Sequence, residues 1–211
     1  LPCRLCAGWR LILLPMIEGI LFDLDGLMVD SEPHSIASWQ AVLAVRGVNF
    51  DRALIDRTFG LRVDETAQLL KDTYHLPDSL ADLAHEKIDY QITHLDGNVQ
   101  PMPGLFELLD AIDRLHLKKA VASSSQRRYV DAVLRSIRLH DRFSVVIGGN
   151  EVSRGKPAPD VFLAAARACA RDRETPVVAL ATAHPAKFPD SVERAIGLRP
   201  ALPPRHADLF E

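Results

Sequence analysis

The chain has 211 residues, 47% of them hydrophobic, with a formal charge of −3 and a pI near 6.3. This excludes wholesale disorder, and the scattered Lys, Arg and His exclude a basic surface for nucleic acid or an anionic membrane; the length suits one domain, or a domain with an insertion. The three cysteines, Cys3, Cys6 and Cys169, do not make a disulfide framework. "CRLC" lacks the second ligand pair of a structural zinc site, so the thiols read as reduced and the setting as cytoplasmic.

The first apolar stretch, "WRLILLPMIEGILF", is interrupted by Pro15 and Glu18. It falls short of the ~20 apolar residues that span a bilayer, and no small-residue cleavage site follows it. Met16 reads as the start of the folded part, with residues 1–15 an extension outside the fold. Ile17–Phe22 then reads as a buried strand running into Asp23 and Asp25. From residue 32 to 99 the texture is helical. Ile36, Trp39, Val42 and Leu43 recur at helical spacing, as do Leu69, Leu70 and Tyr74, with breaks at Gly47, Gly60 and Pro77. This predicts an inserted all-helical block with Trp39, Phe59 and Tyr90 in its core.

"QPMPG" closes the block at Gly104. Leu105 to Leu115 predicts a helix, "KKAVA" a strand ending in "SSSQ", Val130 to Ile137 a helix and "FSVVIGG" a strand. Val161 to Ala170 predicts a helix, residues 177–182 a last strand, and the stretch after Pro189 a last helix. Alternating strands and helices argue an α/β fold, a Rossmann-like parallel sheet with helices on both faces. Residues 16–31 and 100–172 would form that core, 32–99 a helical cap, and 173–211 an atypical tail whose strand completes the sheet.

In such sheets active groups gather beyond the carboxyl ends of the strands. Asp23 and Asp25 follow the first strand, Ser123 to Ser125 the second, and Lys156 lies in the loop after the third. Two acids, hydroxyls and an ammonium suit a phosphate ester with Mg²⁺, which takes oxygen ligands from carboxylates and substrate. One carboxylate can attack phosphorus while the other serves the leaving alcohol as acid.

"DLDGLMVDSEP", "VASSS" and "GKPAPDVF" resemble, in order, the first three motifs of the haloacid dehalogenase superfamily. The closer resemblance is to its branch of sugar-phosphate phosphatases and beta-phosphoglucomutases. The helical block resembles that branch's cap, and "FGLRVDE" a cap segment of hexose- or hexitol-phosphate phosphatases. The resemblance implies Asp23 as nucleophile and metal ligand, and Asp25 as general acid/base with its backbone carbonyl on the metal. It implies Ser123 and Lys156 as phosphate-binding groups, with Ser125 also in reach of phosphate. Gly26 would allow the tight turn that exposes both acids. Asp30 reads as a helix-start or hinge residue. His34 and Arg62 are candidate substrate contacts from the cap. The mutases' cap histidine and arginine fall instead at Ser35 and Val63, one residue from His34 and Arg62, which favours a phosphatase over a mutase. The expected partner is a small phosphorylated metabolite, the expected cofactor Mg²⁺, and the expected state a monomer with no nucleic-acid or membrane partner.

The fourth motif is an acidic pair at the end of the last core strand. At the family's spacing from Lys156 it falls on Leu180 and Ala181, which carry no donor side chain. Asp190, followed by Ser191, is the next acid, displaced along the chain. Residues Glu174–Phe210, with "ATAHPAKFP" at their centre, resemble instead the carboxyl-terminal segment of threonine synthase, without the rest of that pyridoxal-phosphate enzyme. The expectation is a junction of two coding segments near Ala168–Glu174, with impaired or absent turnover.

Overall fold

The computed structural model describes residues 17–58, 61–156, 158–170, 175–180, 193 and 197–199. The expectations for residues 1–15, Phe59, Ala181, Asp190 and the helix after Pro189 lie outside them.

Strand β1 (Gly19–Phe22) is followed by the two-residue strand β2 (Val29–Asp30). Four helices come next: α1 (Glu32–Ala44), α2 (Arg52–Thr58), α3 (Val63–Tyr74) and α4 (Leu80–Thr93). The chain returns through β3 (Gln100–Pro101) and continues as α5 (Leu105–Arg114), β4 (Lys118–Ala122), α6 (Arg127–Ser136), β5 (Val145–Ile147), α7 (Asp160–Cys169) and β6 (Val177–Leu180). Short 3₁₀ turns at His140–Arg142 and Gly149–Glu151 flank β5.

The main sheet has the order β5-β4-β1-β6, with every pairing parallel. Its side chains alternate between faces with the period of two that a strand imposes. Leu21, Ala120 and Ala122 meet Val161, Ala165 and Cys169 of α7 on one face. Phe22, Val121 and Val146 share the other with Leu109, Ile112, Val130 and Val133 of α5 and α6. Strand β6 runs beside β1 in register, Gly19 opposite Val177 and Phe22 opposite Leu180. Its valines suit a pleated, half-buried surface.

The helical block buries Trp39, Val42, Leu43, Leu54, Leu70 and Leu83 together. Helix α4 opens on Ser79, whose hydroxyl accepts the Asp82 N–H at 3.1 Å, a normal N-cap. Tyr90 differs from the expectation of a core position: it is partly exposed and stacks on His94 with ring centroids 4.0 Å apart. The block joins the sheet through β2 and β3, an antiparallel ribbon of two residues each that the helical texture conceals. The described residues up to Leu180 form one compact unit; in the second, Arg199 pairs with Glu193 at 2.8 Å.

Candidate active site

Strand β1 ends where the chain needs a sharp reversal. Gly26 sits at φ 73°, in the left-handed region that glycine enters without steric cost, and its N–H reaches the Val29 carbonyl at 2.9 Å. The Leu24 carbonyl accepts the N–H groups of Met28 (2.9 Å) and Val29 (3.2 Å). This turn holds Asp23 and Asp25 at the carboxyl edge of the sheet.

The two acids have separate partners. Asp23 is buried; its Oδ1 accepts its neighbour's N–H, from Leu24, at 2.9 Å, and its Oδ2 lies 2.6 Å from the Lys156 ammonium. Burial pushes its carboxyl above the usual range, against the pull of Lys156. Asp25 turns instead to hydroxyls. Ser31 donates to Oδ1 at 2.6 Å, while Ser123 and Ser125 donate to Oδ2 at 3.2 and 2.8 Å. The Ser123 hydroxyl also accepts the Ser125 N–H at 3.0 Å, closing the loop after β4 around Asp25. The structure thus brings together Asp23, Asp25, Ser123, Ser125 and Lys156.

Three participants lie beyond the expected site residues. Ser31 sits at the N-cap of α1 but makes no capping bond, because its hydroxyl is committed to Asp25. Asp30, beside it, lies in the ribbon strand β2. The second is Lys87, on the buried stripe of α4 with Leu83, Ala84, Ile88 and Gln91. It is buried, its ammonium lies 5.8 Å from the centre of the Trp39 ring, and burial pushes its pKa down to about 8 against the opposing charge of Asp25. A lysine on an apolar helical face was the available signal. The third is Tyr129 of α6, whose buried hydroxyl has no hydrogen bond at ordinary distance among the described residues and whose ionisation is disfavoured by burial and by Asp25.

The two cap candidates are placed differently. His34 is buried, with Nε2 2.9 Å from the Gln91 carbonyl of α4, and burial lowers its pKa. Among the described residues no hydrogen bond or ion pair links it to either acid. Arg62 reaches the core: its Nη2 donates to the Gly149 carbonyl at 3.1 Å, and its Nε lies 3.4 Å from Asp64.

The edge of β6 contrasts with this polar cluster. Leu180 packs against the core, and its carbonyl accepts the Asp23 N–H at 3.1 Å. Among the described residues no three His, Cys, Asp or Glu side chains gather as a metal cluster. Magnesium binds through as few as one or two carboxylates together with substrate phosphate and water. Asp23 meets the lower end of that habit.

A family model described as haloacid dehalogenase-like hydrolase matches residues 20–178. The chain belongs to the haloacid dehalogenase-like hydrolase family. The phosphorylated carbohydrates phosphatase of Thermotoga maritima is 28% identical over 150 residues, covering 70% of this chain and 68% of that protein. The beta-phosphoglucomutase of Bacillus subtilis is 28% identical over 159 residues, covering 71% and 69%. Among solved structures, CbbY from Rhodobacter sphaeroides in complex with phosphate superposes with a TM-score of 0.70 at 25% identity, covering 78% of this chain and 77% of that one. A second model, the carboxyl-terminal part of threonine synthase, matches residues 161–211. The two matches overlap over 161–178, a range that contains all of α7 but Asp160 and also the expected join. Among the described residues no helix is long and apolar enough to cross a membrane.

Proposed function

We propose that the chain is built as a phosphatase of a small phosphorylated sugar or polyol, working through an aspartyl phosphate on Asp23 and impaired where the fourth acidic pair is missing. The observation that carries this reading is the division of labour at the sheet edge: Asp23 paired with an ammonium at 2.6 Å, Asp25 held by three hydroxyls.

An Asp23 carboxylate oxygen bonds to phosphorus as the ester P–O bond breaks, and Asp25 gives its proton to the departing alcohol. Water then bonds to phosphorus, returning a proton to Asp25, and the bond to Asp23 breaks. Lys156, beside the nucleophile, takes the charge of the transferring group, and the Ser123 and Ser125 hydroxyls turn from Asp25 to phosphate oxygens. Lys87 extends this positive lining from the helical block, which acts as a cap closing over the sheet edge. Asp23 and the Asp25 backbone carbonyl would hold Mg²⁺, which supplies further neutralisation of phosphate charge. With no acid at residues 180 and 181, the ion would be held weakly.

Two other readings have support. The likeness to a beta-phosphoglucomutase favours phosphoryl transfer between sugar positions, with His34 and Arg62 as sugar contacts. The threonine synthase match on the tail favours a recombinant relative that has lost turnover, through a join of coding segments near Ala168–Glu174. The proposed phosphatase acts as a cytoplasmic monomer on a small metabolite.

The deciding experiment is hydrolysis of 4-nitrophenyl phosphate with Mg²⁺ and with chelator, on this chain and on Asp23→Asn. Mg²⁺-stimulated release that disappears in Asp23→Asn supports the reading. Release that survives the substitution refutes the nucleophile, and a well-folded chain that releases nothing at any Mg²⁺ concentration supports the non-catalytic alternative.

A further inference from the structure

Arg62 crosses from the helical block to the two core loops that carry the site contacts. Its backbone is anchored at the start of α3, where its N–H donates to Glu65 at 2.8 Å, and its side chain is only 20% exposed. The guanidinium donates to the Gly149 carbonyl at 3.1 Å. Gly149 in turn is pressed on the loop after β4. Its N–H reaches the Ser125 carbonyl at 2.8 Å, and a Cβ there would stand 2.0 Å from the Ser124 carbonyl oxygen. The stem of Arg62 lies over Gly155, where a Cβ would come within 2.3 Å of its Cδ and 3.0 Å of its Cγ. Gly155 immediately precedes Lys156. One side chain therefore touches the glycine whose N–H supports Ser125, a donor to Asp25, and the glycine that precedes Lys156, the partner of Asp23.

We propose that Arg62 is a positioning residue, a clasp that immobilises the Ser123–Ser125 loop and the Lys156 loop together when the helical block is closed. The grip is on backbone, through one charge-assisted hydrogen bond and the van der Waals contact of an aliphatic stem. The guanidinium's carboxylate neighbour, Asp64, belongs to its own helix, so opening breaks no ion pair between block and core at this point. Such a contact orders two loops and still releases them for ligand entry. The absence of a side chain at Gly155 creates the niche the clasp needs.

A second bridge gives the control. Arg128 of α6 pairs with Asp89 of α4 at 2.5 Å, a link between core and block whose side-chain partners, Asp89 and His85, both belong to α4 and to neither loop. If the loops were held merely by docking of the block, losing either bridge would loosen them alike.

The test is amide hydrogen exchange on the full chain, read in peptides covering residues 121–126 and 148–156, so that it does not depend on turnover and can fail or succeed whatever the phosphatase assay gives. In Arg62→Ala both peptides should exchange about tenfold faster, the scale expected for losing one charge-assisted hydrogen bond. Gly155→Ala, which displaces the stem and leaves the charge, should do the same. Arg62→Lys, which keeps a donor and part of the stem, should restore much of the protection, and Arg128→Ala should leave both peptides as in the parent. Unchanged exchange in folded Arg62→Ala or Gly155→Ala overturns the proposal, as does equal loosening in Arg128→Ala. If Arg62→Ala does not fold, Gly155→Ala and Arg62→Lys decide by the same criterion.

Discussion

The carboxyl ends of β1 and β4 and the carboxyl end of β6 are neighbours in one sheet, yet they present opposite chemistry. At the first, two carboxylates, three hydroxyls and an ammonium are interlocked at 2.6–3.2 Å. At the second, Leu180 lies in register with Phe22 and supplies a backbone carbonyl to Asp23. Pairing a strand asks for β-prone residues and free backbone groups, and "VVAL" meets both demands. Holding a metal asks for a carboxylate at one position beyond the strand. A sheet therefore tolerates a change of sequence in its last strand far more readily than a metal site does.

The contrast can be broken hardest at the polar end. Lys156→Met would leave Asp23 buried without its cation, a change expected to cost about 3 kcal/mol of stability near pH 7 and to abolish turnover. In this variant burial and the neighbouring Asp25 charge are opposed only by the Leu24 N–H, so the Asp23 carboxyl rises further above the usual range. The loss should shrink as pH falls and Asp23 becomes protonated, and chemical denaturation at pH 7 and pH 4 checks this. A loss that is the same at both pH values would deny the ion pair its assigned part.

The complementary change acts on the apolar end. Leu180→Glu with Ala181→Asp should raise Mg²⁺-stimulated kcat/KM on 4-nitrophenyl phosphate by about tenfold to a hundredfold, the range spanned when a divalent site gains ligands in place. No gain in a variant with a parental melting temperature would place the defect elsewhere.

Lys87 asks whether the helical block belongs to the polar cluster. Its folded pKa of about 8 lies below the ordinary 10.5, so the fold is handicapped by the charged form below pH 8 and regains stability as pH rises toward 10.5. Lys87→Met should therefore stabilise at pH 7 by roughly 1–3 kcal/mol, with the advantage fading in alkaline solution. It should at the same time weaken protection of the protein by inorganic phosphate in thermal melts. A stable variant with undiminished phosphate protection would remove Lys87 from the site.

The smallest effects concern single hydroxyls. Ser125→Ala removes one of the three donors to Asp25 and should lower kcat several-fold while costing about 1 kcal/mol of stability. In the parent chain the acid limb of kcat/KM should stand above the ordinary carboxylate range, since burial raises Asp23 in the free protein and the attacking group must be ionised. A limb at the usual carboxylate value would contradict that environment.

Much of this was legible along the chain. Short apolar runs placed β1, β4, β5 and β6, and helical texture placed α1, α3 and α5 to α7, while α2 and α4 were foreseen only as parts of one helical block. Asp23, Asp25, Ser123 and Lys156 stood out because each follows a strand. Ser31 and Lys87 did not, since their relevance comes from a ribbon and a helix folding back on Asp25. Tyr90 misled because an aromatic at helical spacing does not reveal whether anything packs over that turn.

The sequence alone determined the parallel layering and, among the groups at the sheet edge, Asp23, Asp25, Ser123, Ser125 and Lys156, because both depend on periodicity and on position relative to strand ends. Tertiary structure decided which acid takes the ammonium and which the hydroxyls, that β6 lies against β1, and that Arg62 reaches Gly149. Those outcomes depend on distances between residues far apart in the chain, which no local pattern encodes.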